Sequence, residues 1–229
     1  MQMQTMSQAD TTEPTISLKM LKAMVGIGIV CACLIALTFE YTLPRIENLK
    51  AEALNKAISI VIPGMVTKKT FGVDRNNNLL EVNNKDKSPH LLYAGYDENG
   101  KLMGLAVEAS GIGFGGVLRI LYGYDPEKQA ITGFHVLESK ETPGLGDKIE
   151  KSSDFLENFR ALDVSLNEDN VTLKHKITVV KNGAKKNPWE IDGITGATIS
   201  SRAIGNILAD STRQMAPLIN RHKSNLEKN

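Results

Sequence analysis

The sequence predicts an α+β fold: one N-terminal transmembrane helix, then a single domain with a largely antiparallel sheet and bracketing helices. Three observations carry that prediction. The run Ala23 to Phe39 is apolar and free of charge. Between Leu91 and Leu137 the pattern is strand-like and is broken twice by hairpin turn signals. On both sides of that region, apolar residues recur at helical spacing. Hairpins flanked by helices, without a repeating strand–helix alternation, point to α+β rather than α/β.

Each element follows from local chemistry. Residues 1–18 are polar and read as a disordered cytoplasmic tail. The apolar run, at about 1.5 Å per helical residue, covers most of a hydrocarbon core of about 30 Å. Lys19 and Lys22 precede it while Glu40 and Arg45 follow, a weak bias toward an N-terminus inside. A cleaved signal peptide would need a small-residue site near its end, and Ile35-Ala36-Leu37-Thr38-Phe39 is a poor one. A lipoprotein site at Val30-Cys31-Ala32-Cys33 is contradicted by the apolar run continuing past it. The segment therefore reads as an uncleaved anchor over 19–43. Pro44 marks its exit, and a linker helix over 44–64 follows on Ile46, Leu49, Ala53, Ala57, Ile60 and Val61, ending at Pro63-Gly64.

The globular domain is placed at 65–221. Asp74 to Pro89, rich in Asn, Asp and Lys, reads as a loop. Strands are expected at Leu91 to Tyr96 and Leu102 to Ala109, joined by Asp97-Glu98-Asn99-Gly100. A second pair is expected at Val117 to Tyr124 and Ala130 to Leu137, joined by Asp125-Pro126-Glu127-Lys128. Asp154 to Glu157 has the N-cap and N3 chemistry of a short helix. Val171 to Val180 alternates like a strand. The last helix is expected from about Ile199 to Asn220, leaving a tail at 222–229.

Composition narrows the chemistry. Hydrophobic content of 41% supports a core, and a net charge of +1 gives no electrostatic case for nucleic acid. Both cysteines, Cys31 and Cys33, lie inside the apolar run, so the domain has no cysteine for a disulfide framework or an iron–sulfur site. His90, His135, His175 and His222 are scattered without metal-site spacing, and His135 reads as a structural strand residue. Trp189 reads as a core residue. Asn170-Val171-Thr172 fits a glycosylation sequon, a frequent accident, and Lys185-Lys186 is a solvated pair.

Three motifs remain. Asp192-Gly193-Ile194-Thr195-Gly196-Ala197-Thr198-Ile199-Ser200-Ser201 is a hydroxyl-rich loop that runs into the last helix. A helix N-terminus offers unpaired N–H groups and a partial positive charge, which favour phosphate. Gly193 and Gly196 permit close approach to the backbone. The plain alternative is that Thr198 caps the helix, with Ser200 and Ser201 as rivals. Glu138 to Asp147 contains Glu141-Thr142-Pro143-Gly144-Leu145-Gly146, by chemistry a tight turn. Gly111 to Gly116 is formally G-x-G-x-x-G, but a strand follows it instead of a helix, so it is no dinucleotide fingerprint.

The segment Thr195-Gly196-Ala197-Thr198-Ile199-Ser200 resembles the flavinylation motif of the FMN-binding domain family, and Glu141 to Gly146 resembles that family's second signature. The resemblance implies that Thr198 carries covalent FMN through a phosphoester. It implies a cofactor site of Thr198, Thr195, Gly196, Ala197 and Ser200, with Glu141, Thr142 and Leu145 against the flavin ring, and a separate flavin transferase that uses FAD as donor. With the anchor, the order of motifs is similar to the G-subunit family of Rnf (Rsx) electron-transport complexes. The C subunit of the sodium-translocating NADH:quinone reductase is a relative and an alternative. Implied are an electron relay within an ion-translocating ferredoxin:NAD oxidoreductase, other Rnf subunits as partners, and an inner-membrane location with the domain in the periplasm. The competing class is a non-redox, membrane-anchored binding module. FMN-domain regulators of nitrous-oxide or dehalogenase systems usually add membrane helices and cysteine-rich segments that this chain lacks.

Overall fold

A computed structural model describes residues 18–74, 77–82 and 91–227. Apart from Leu18, the expected N-terminal tail lies outside the described residues, as do His90 and much of the expected 74–89 loop. The chain divides into two compact units, one through Ala51 and one from Glu52.

Helix α1 spans Leu18–Val61 and contains a stretch long and apolar enough to cross a membrane. Its apolar side chains from Leu18 to Phe39 are exposed, as expected of a segment whose solvent is lipid. Its threonine hydroxyls are satisfied internally: Thr38 donates to the Leu34 carbonyl (2.7 Å) and Thr42 to that of Thr38 (2.8 Å). Pro44, the expected exit of the anchor, lies inside this helix, so the expected anchor and linker segments form one continuous helix. Proline removes one backbone hydrogen bond here, and the intact turns on either side carry the helix through.

In the second unit, an antiparallel sheet of seven strands among the described residues runs in the order β2-β1-β3-β4-β5-β6-β7. The strands are β1 (Thr67–Val73), β2 (Leu79–Glu81), β3 (Leu91–Tyr96), β4 (Leu102–Ile112), β5 (Val117–Asp125), β6 (Ala130–Glu138) and β7 (Leu162–Asp163). Both predicted hairpins form. Strand β2 interrupts the expected 74–89 loop, pairing Leu79 with Val73. Helices α2 (Lys148–Lys151) and α3 (Ser153–Glu157) follow β6. The N-cap of α3 is Ser152, not Asp154, and it makes no side-chain cap bond.

Of the expected strand over 171–180, only β8 (Thr178–Val180) forms; it pairs in parallel with β9 (Glu190–Asp192). Asp169 explains the shortening. Its carboxylate accepts the amides of Val171 (2.9 Å) and Thr172 (3.1 Å), and these local bonds hold the chain in a turn. Helix α4 spans Thr198–Glu227, beyond the expected end at Asn220 and through Pro217. The expected 222–229 tail is therefore helical through Glu227. Leu226 is buried and its carbonyl accepts the Tyr96 hydroxyl at 3.0 Å, so the last turn has tertiary partners.

Both faces of the sheet are covered. Leu92, Leu105, Val107, Ile120, Tyr122 and Ile131 form one core with Ile204, Leu208 and Ile219 of α4, and Phe134, Phe155 and Phe159 extend it. Ala57, Ile58, Val61 and Ile62 pack on the other face against Tyr93, Ala106 and Leu121. Glycine is required where that helix end lands. Gly123 and Gly133 are cross-strand partners, and a Cβ on either would sit 2.3 and 2.7 Å from the Val61 carbonyl oxygen. The hairpin between β4 and β5, the turn after β6 and the start of α4 then meet at one end of the sheet.

Candidate functional site

The hydroxyl-rich loop enters α4 through a sharp turn. Gly196 takes φ +85, a conformation that favours glycine. Ala197 lends its carbonyl to the Ser201 amide (2.9 Å), the first intrahelical bond, so Thr198 is the first helical residue and not the cap. Among the described residues, the amides of Thr198, Ile199 and Ser200 have no hydrogen-bond partner. They form the orphan donors of a long helix, with the partial positive charge that accompanies them.

The hydroxyls of this segment fall into two groups. Ser201 is buried; it accepts the Ile194 amide (3.1 Å) and donates to the Ala197 carbonyl (2.9 Å), clamping the loop onto the helix. Ser200 is also buried and donates to Glu141. Thr198 is exposed, and its hydroxyl makes no hydrogen bond among the described residues. The helix-cap alternative for Thr198 therefore does not hold in this geometry.

The turn after β6 lies against this helix start. Its backbone is tightened by the Thr142 carbonyl, which accepts the amides of Leu145 (3.1 Å) and Gly146 (2.9 Å). Together the two segments wall a cavity of about 330 Å³ lined by Phe114, Glu141, Thr142, Leu145, Gly146 and Gly196 through Ser200. Seven of the eight expected site residues thus meet: Glu141, Thr142, Leu145, Gly196, Ala197, Thr198 and Ser200. Thr195 does not line the cavity; it is exposed one residue before the turn. Ile199 and Phe114 are additions. Phe114, 66% exposed, sits at the tip of the glycine-rich hairpin, where the Gly113 amide donates to the Gly116 carbonyl at 2.7 Å. A large aromatic side chain flanked by glycines is the signal that would have found it. Leu145 and Ile199 are also exposed, so with Phe114 three large apolar side chains line the cavity. Ile112 and Val117, exposed as well, flank the same hairpin tip.

Asp147, Lys151 and His135 do not line the cavity. Lys151, bonded to Asp147 at 2.6 Å, holds that carboxyl below its ordinary value. His135 is lowered from its ordinary 6.5 by partial burial on β6. Trp189, half-buried and not in the core, stacks on His175 with centroids 3.6 Å apart and does not line the cavity. A larger cavity, about 450 Å³, lies between β4, β5 and α4. Its charged groups are already paired, Arg119 lying between Glu108 and Glu138, and none of the motifs reaches it.

The cavity near Thr198 suits a flat ligand carrying a phosphate. It offers free amides at a helix N-terminus, a free hydroxyl beside them and an apolar wall, and its volume lies in the usual range of about 300–1,000 Å³ for small-molecule sites. Residues 113–212 match the FMN-binding domain family. The fold is that of NqrC from Shewanella oneidensis (TM-score 0.55, 15% identity, covering 70% of this chain and 85% of that one). It is also that of the C subunit of the Na(+)-translocating NADH-quinone reductase from Parabacteroides distasonis (TM-score 0.58, 20% identity, 76% and 96%). The class is thus an FMN-binding domain on an NqrC-like fold.

Sequence relatives are more specific. The G subunit of the ion-translocating oxidoreductase complex of Methanosarcina acetivorans is 31% identical over 83% of this chain and 89% of its own length. Its namesake from Haemophilus influenzae is 34% identical, covering 79% and 81%. The G subunit of the Na(+)-translocating ferredoxin:NAD(+) oxidoreductase complex of Acetobacterium woodii is 30% identical, covering 78% and 81%. The chain belongs to the G-subunit family of ion-translocating oxidoreductase complexes.

Proposed function

We propose that this chain is the electron-relay subunit of a membrane ion-translocating ferredoxin:NAD oxidoreductase complex, with FMN attached covalently to Thr198. One observation supports the attachment point above all: Thr198 presents an exposed, unbonded hydroxyl at the cavity, while Ser200 and Ser201 are buried and bonded. In the proposed modification the Thr198 oxygen bonds to the phosphorus of the FMN half of FAD. The anhydride P–O bond breaks, AMP leaves with the electron pair, and the hydroxyl proton passes to a base of the flavin transferase or to water. A threonine hydroxyl is a weak nucleophile, and nothing beside Thr198 is bonded to it as a base, so a separate enzyme supplies activation.

The bound flavin supplies the redox chemistry. The chain's own residues hold and expose it. The free amides at the α4 N-terminus would hold the phosphate, and Gly196 and Ala197 would let the backbone come close to it. Glu141, Thr142 and Leu145 would wall the ring, with Phe114 beside them, and Thr195 lies on the approach to the turn. The apolar side chains around the cavity give a surface for neighbouring subunits of the complex. The long apolar helix anchors the chain in the inner membrane with its N-terminus in the cytoplasm, so the flavin domain stands in the periplasm.

The test is co-production of the full chain with a flavin transferase, beside Thr198→Val. Wild type should fluoresce on a denaturing gel and gain the mass of FMN less one water, and the variant should do neither. An unlabelled wild type, with the transferase active on a control substrate, would reduce the site to a binding module.

A further inference from the structure

Glu141 occupies an unusual place for a carboxylate. It is only 7% exposed, and it joins three segments that are remote in sequence. Its Oε1 accepts the Gly115 amide at 3.0 Å, from the tip of the β4–β5 hairpin. Its Oε2 accepts the Ser200 hydroxyl at 2.5 Å, from the first turn of α4. Backbone closes in on both sides: a Cβ at Gly113 would lie 2.3 Å from Oε1, and one at Gly146 would lie 2.5 Å from Oε2. The carboxylate is therefore fixed by two charge-assisted bonds and by glycines that leave room for nothing larger. Neither oxygen is bonded to Thr198 among the described residues, so Glu141 is placed to orient the helix start, not to take the Thr198 proton.

We propose that Glu141 is the positioning residue of the modification site: through Ser200 it sets the first turn of α4, leaving Thr198 as the presented hydroxyl and withholding that of Ser200. This rests on the covalent reading of Thr198 given above. The mechanism is geometric. Ser200 lies two residues after Thr198 in the first turn of α4, so a bond that pins Ser200 to Glu141 fixes the backbone from which the Thr198 side chain projects. Misplacing a reacting atom by about 1 Å can cost about a hundredfold in rate.

The experiment follows the initial rate of covalent flavin incorporation into the detergent-solubilised full chain by purified transferase and FAD, read by intact mass. The variants are Glu141→Ala, Ser200→Ala, their double, and Glu141→Gln, each checked for folding by thermal melting. Glu141→Ala and Ser200→Ala should each slow incorporation about tenfold. The double variant should be no slower than the slower single, because both remove the same bond. Glu141→Gln can still accept from Gly115 and can donate from its amide to Ser200, so it should keep at least about half the wild-type rate. Multiplying single effects, a Glu141→Ala rate equal to wild type, or a Gln variant as slow as Ala would each overturn the positioning role. If Glu141→Ala does not fold, Ser200→Ala and Glu141→Gln decide the matter through the same criteria. An unlabelled wild type overturns both proposals; normal labelling of wild type and of the Glu141 and Ser200 variants alike overturns this one alone.

Discussion

Asn158, at the C-terminal end of α3, should prove to be the main tie between that helix and the loop that carries the hydroxyls. It is 4% exposed. Its Nδ2 donates to the carbonyls of Phe155 (3.0 Å) and Asp192 (3.2 Å). Its Oδ1 accepts the Asp192 amide (2.9 Å) and the Lys185 ammonium (3.1 Å). Asp192 ends β9 and immediately precedes Gly193. Asn158→Ala leaves the Asp192 amide and carbonyl without these partners, while Lys185, on an exposed segment, returns to water. Each unsatisfied backbone group costs about 1–3 kcal/mol, so a loss of about 2–4 kcal/mol is expected. For a domain of this size that is a fall in Tm of roughly 5–15 °C. Asn158→Asp sharpens the test. It keeps the acceptor but sets a second carboxylate oxygen against two carbonyl oxygens in a buried place. Burial and the two carbonyl oxygens should outweigh the exposed Lys185 ammonium at the other oxygen, so the folded state should raise that carboxyl's pKa above its unfolded value. Stability would then fall as pH rises through the unfolded value and recover on acidification. Thermal melting of the detergent-solubilised chain by circular dichroism at two pH values reads both effects. An Ala variant within about 2 °C of wild type, or an Asp variant as stable as wild type at neutral pH, would refute the reasoning.

Gly123→Ala should destabilise by about 1–3 kcal/mol, because its Cβ meets backbone at Val61 rather than a movable side chain; unchanged denaturant unfolding would contradict this. Phe159→Ala opens the cluster in which Phe159 stacks on Phe134 at 4.3 Å and meets Phe155 edge-on at 5.2 Å, and should cost about 3–5 kcal/mol in chemical denaturation. Burial lowers the pKa of His135 below 6.5, so the unfolded chain binds that proton more readily and stability falls as pH drops below that value. His135→Gln should flatten the slope of stability against pH there, and an unchanged slope would rule out the assignment.

How legible the molecule is in its sequence depends on how local the deciding forces are. The hairpins are legible because their turn residues and alternation act over a few positions, and Leu91–Tyr96 and Leu102–Ile112 form where expected. Two helix bounds differ from those expected: Pro44 as the exit of the anchor, and Asn220 as the end of the last helix. Pro44 lies within an unbroken helix, and past Asn220 the burial of Leu226 keeps the last turn helical. At Val171 the alternation is real, but Asp169 bends the chain through bonds that a period-2 pattern cannot reveal. Within the site, the residue types around Glu141 and Thr198 are visible as motifs, and the distance between them in space is not. Neither motif states that Glu141 bonds Ser200, since that bond spans the whole α2–β9 region. Phe114 escapes assignment because a glycine-rich hairpin tip reads as geometry alone.

The cavity's shape bears on why attachment would be covalent. Its wall is built from two turns and one helix end, with Phe114, Leu145 and Ile199 exposed at its edge. A site with so exposed an edge would leave one side of a flat ligand uncovered, which would weaken non-covalent retention but admit a second protein to within contact of the ring. Deepening it would reverse both properties. On the proposed reading, the bond to Thr198 removes the conflict: retention no longer depends on enclosure, so the apolar edge can remain open to a neighbouring subunit. The same logic explains the placement at a helix N-terminus. The orphan amides of Thr198, Ile199 and Ser200 and the helix dipole would attract the charge of a phosphodiester in a fixed direction, so a cofactor held by one flexible ester would still have a preferred orientation. A Thr198→Ser variant, which keeps the attachment and loses only the methyl group, should therefore accept flavin with nearly wild-type visible circular dichroism. A labelled but optically disordered flavin in that variant would show that the ester's own stiffness, and not the helix start, sets the orientation.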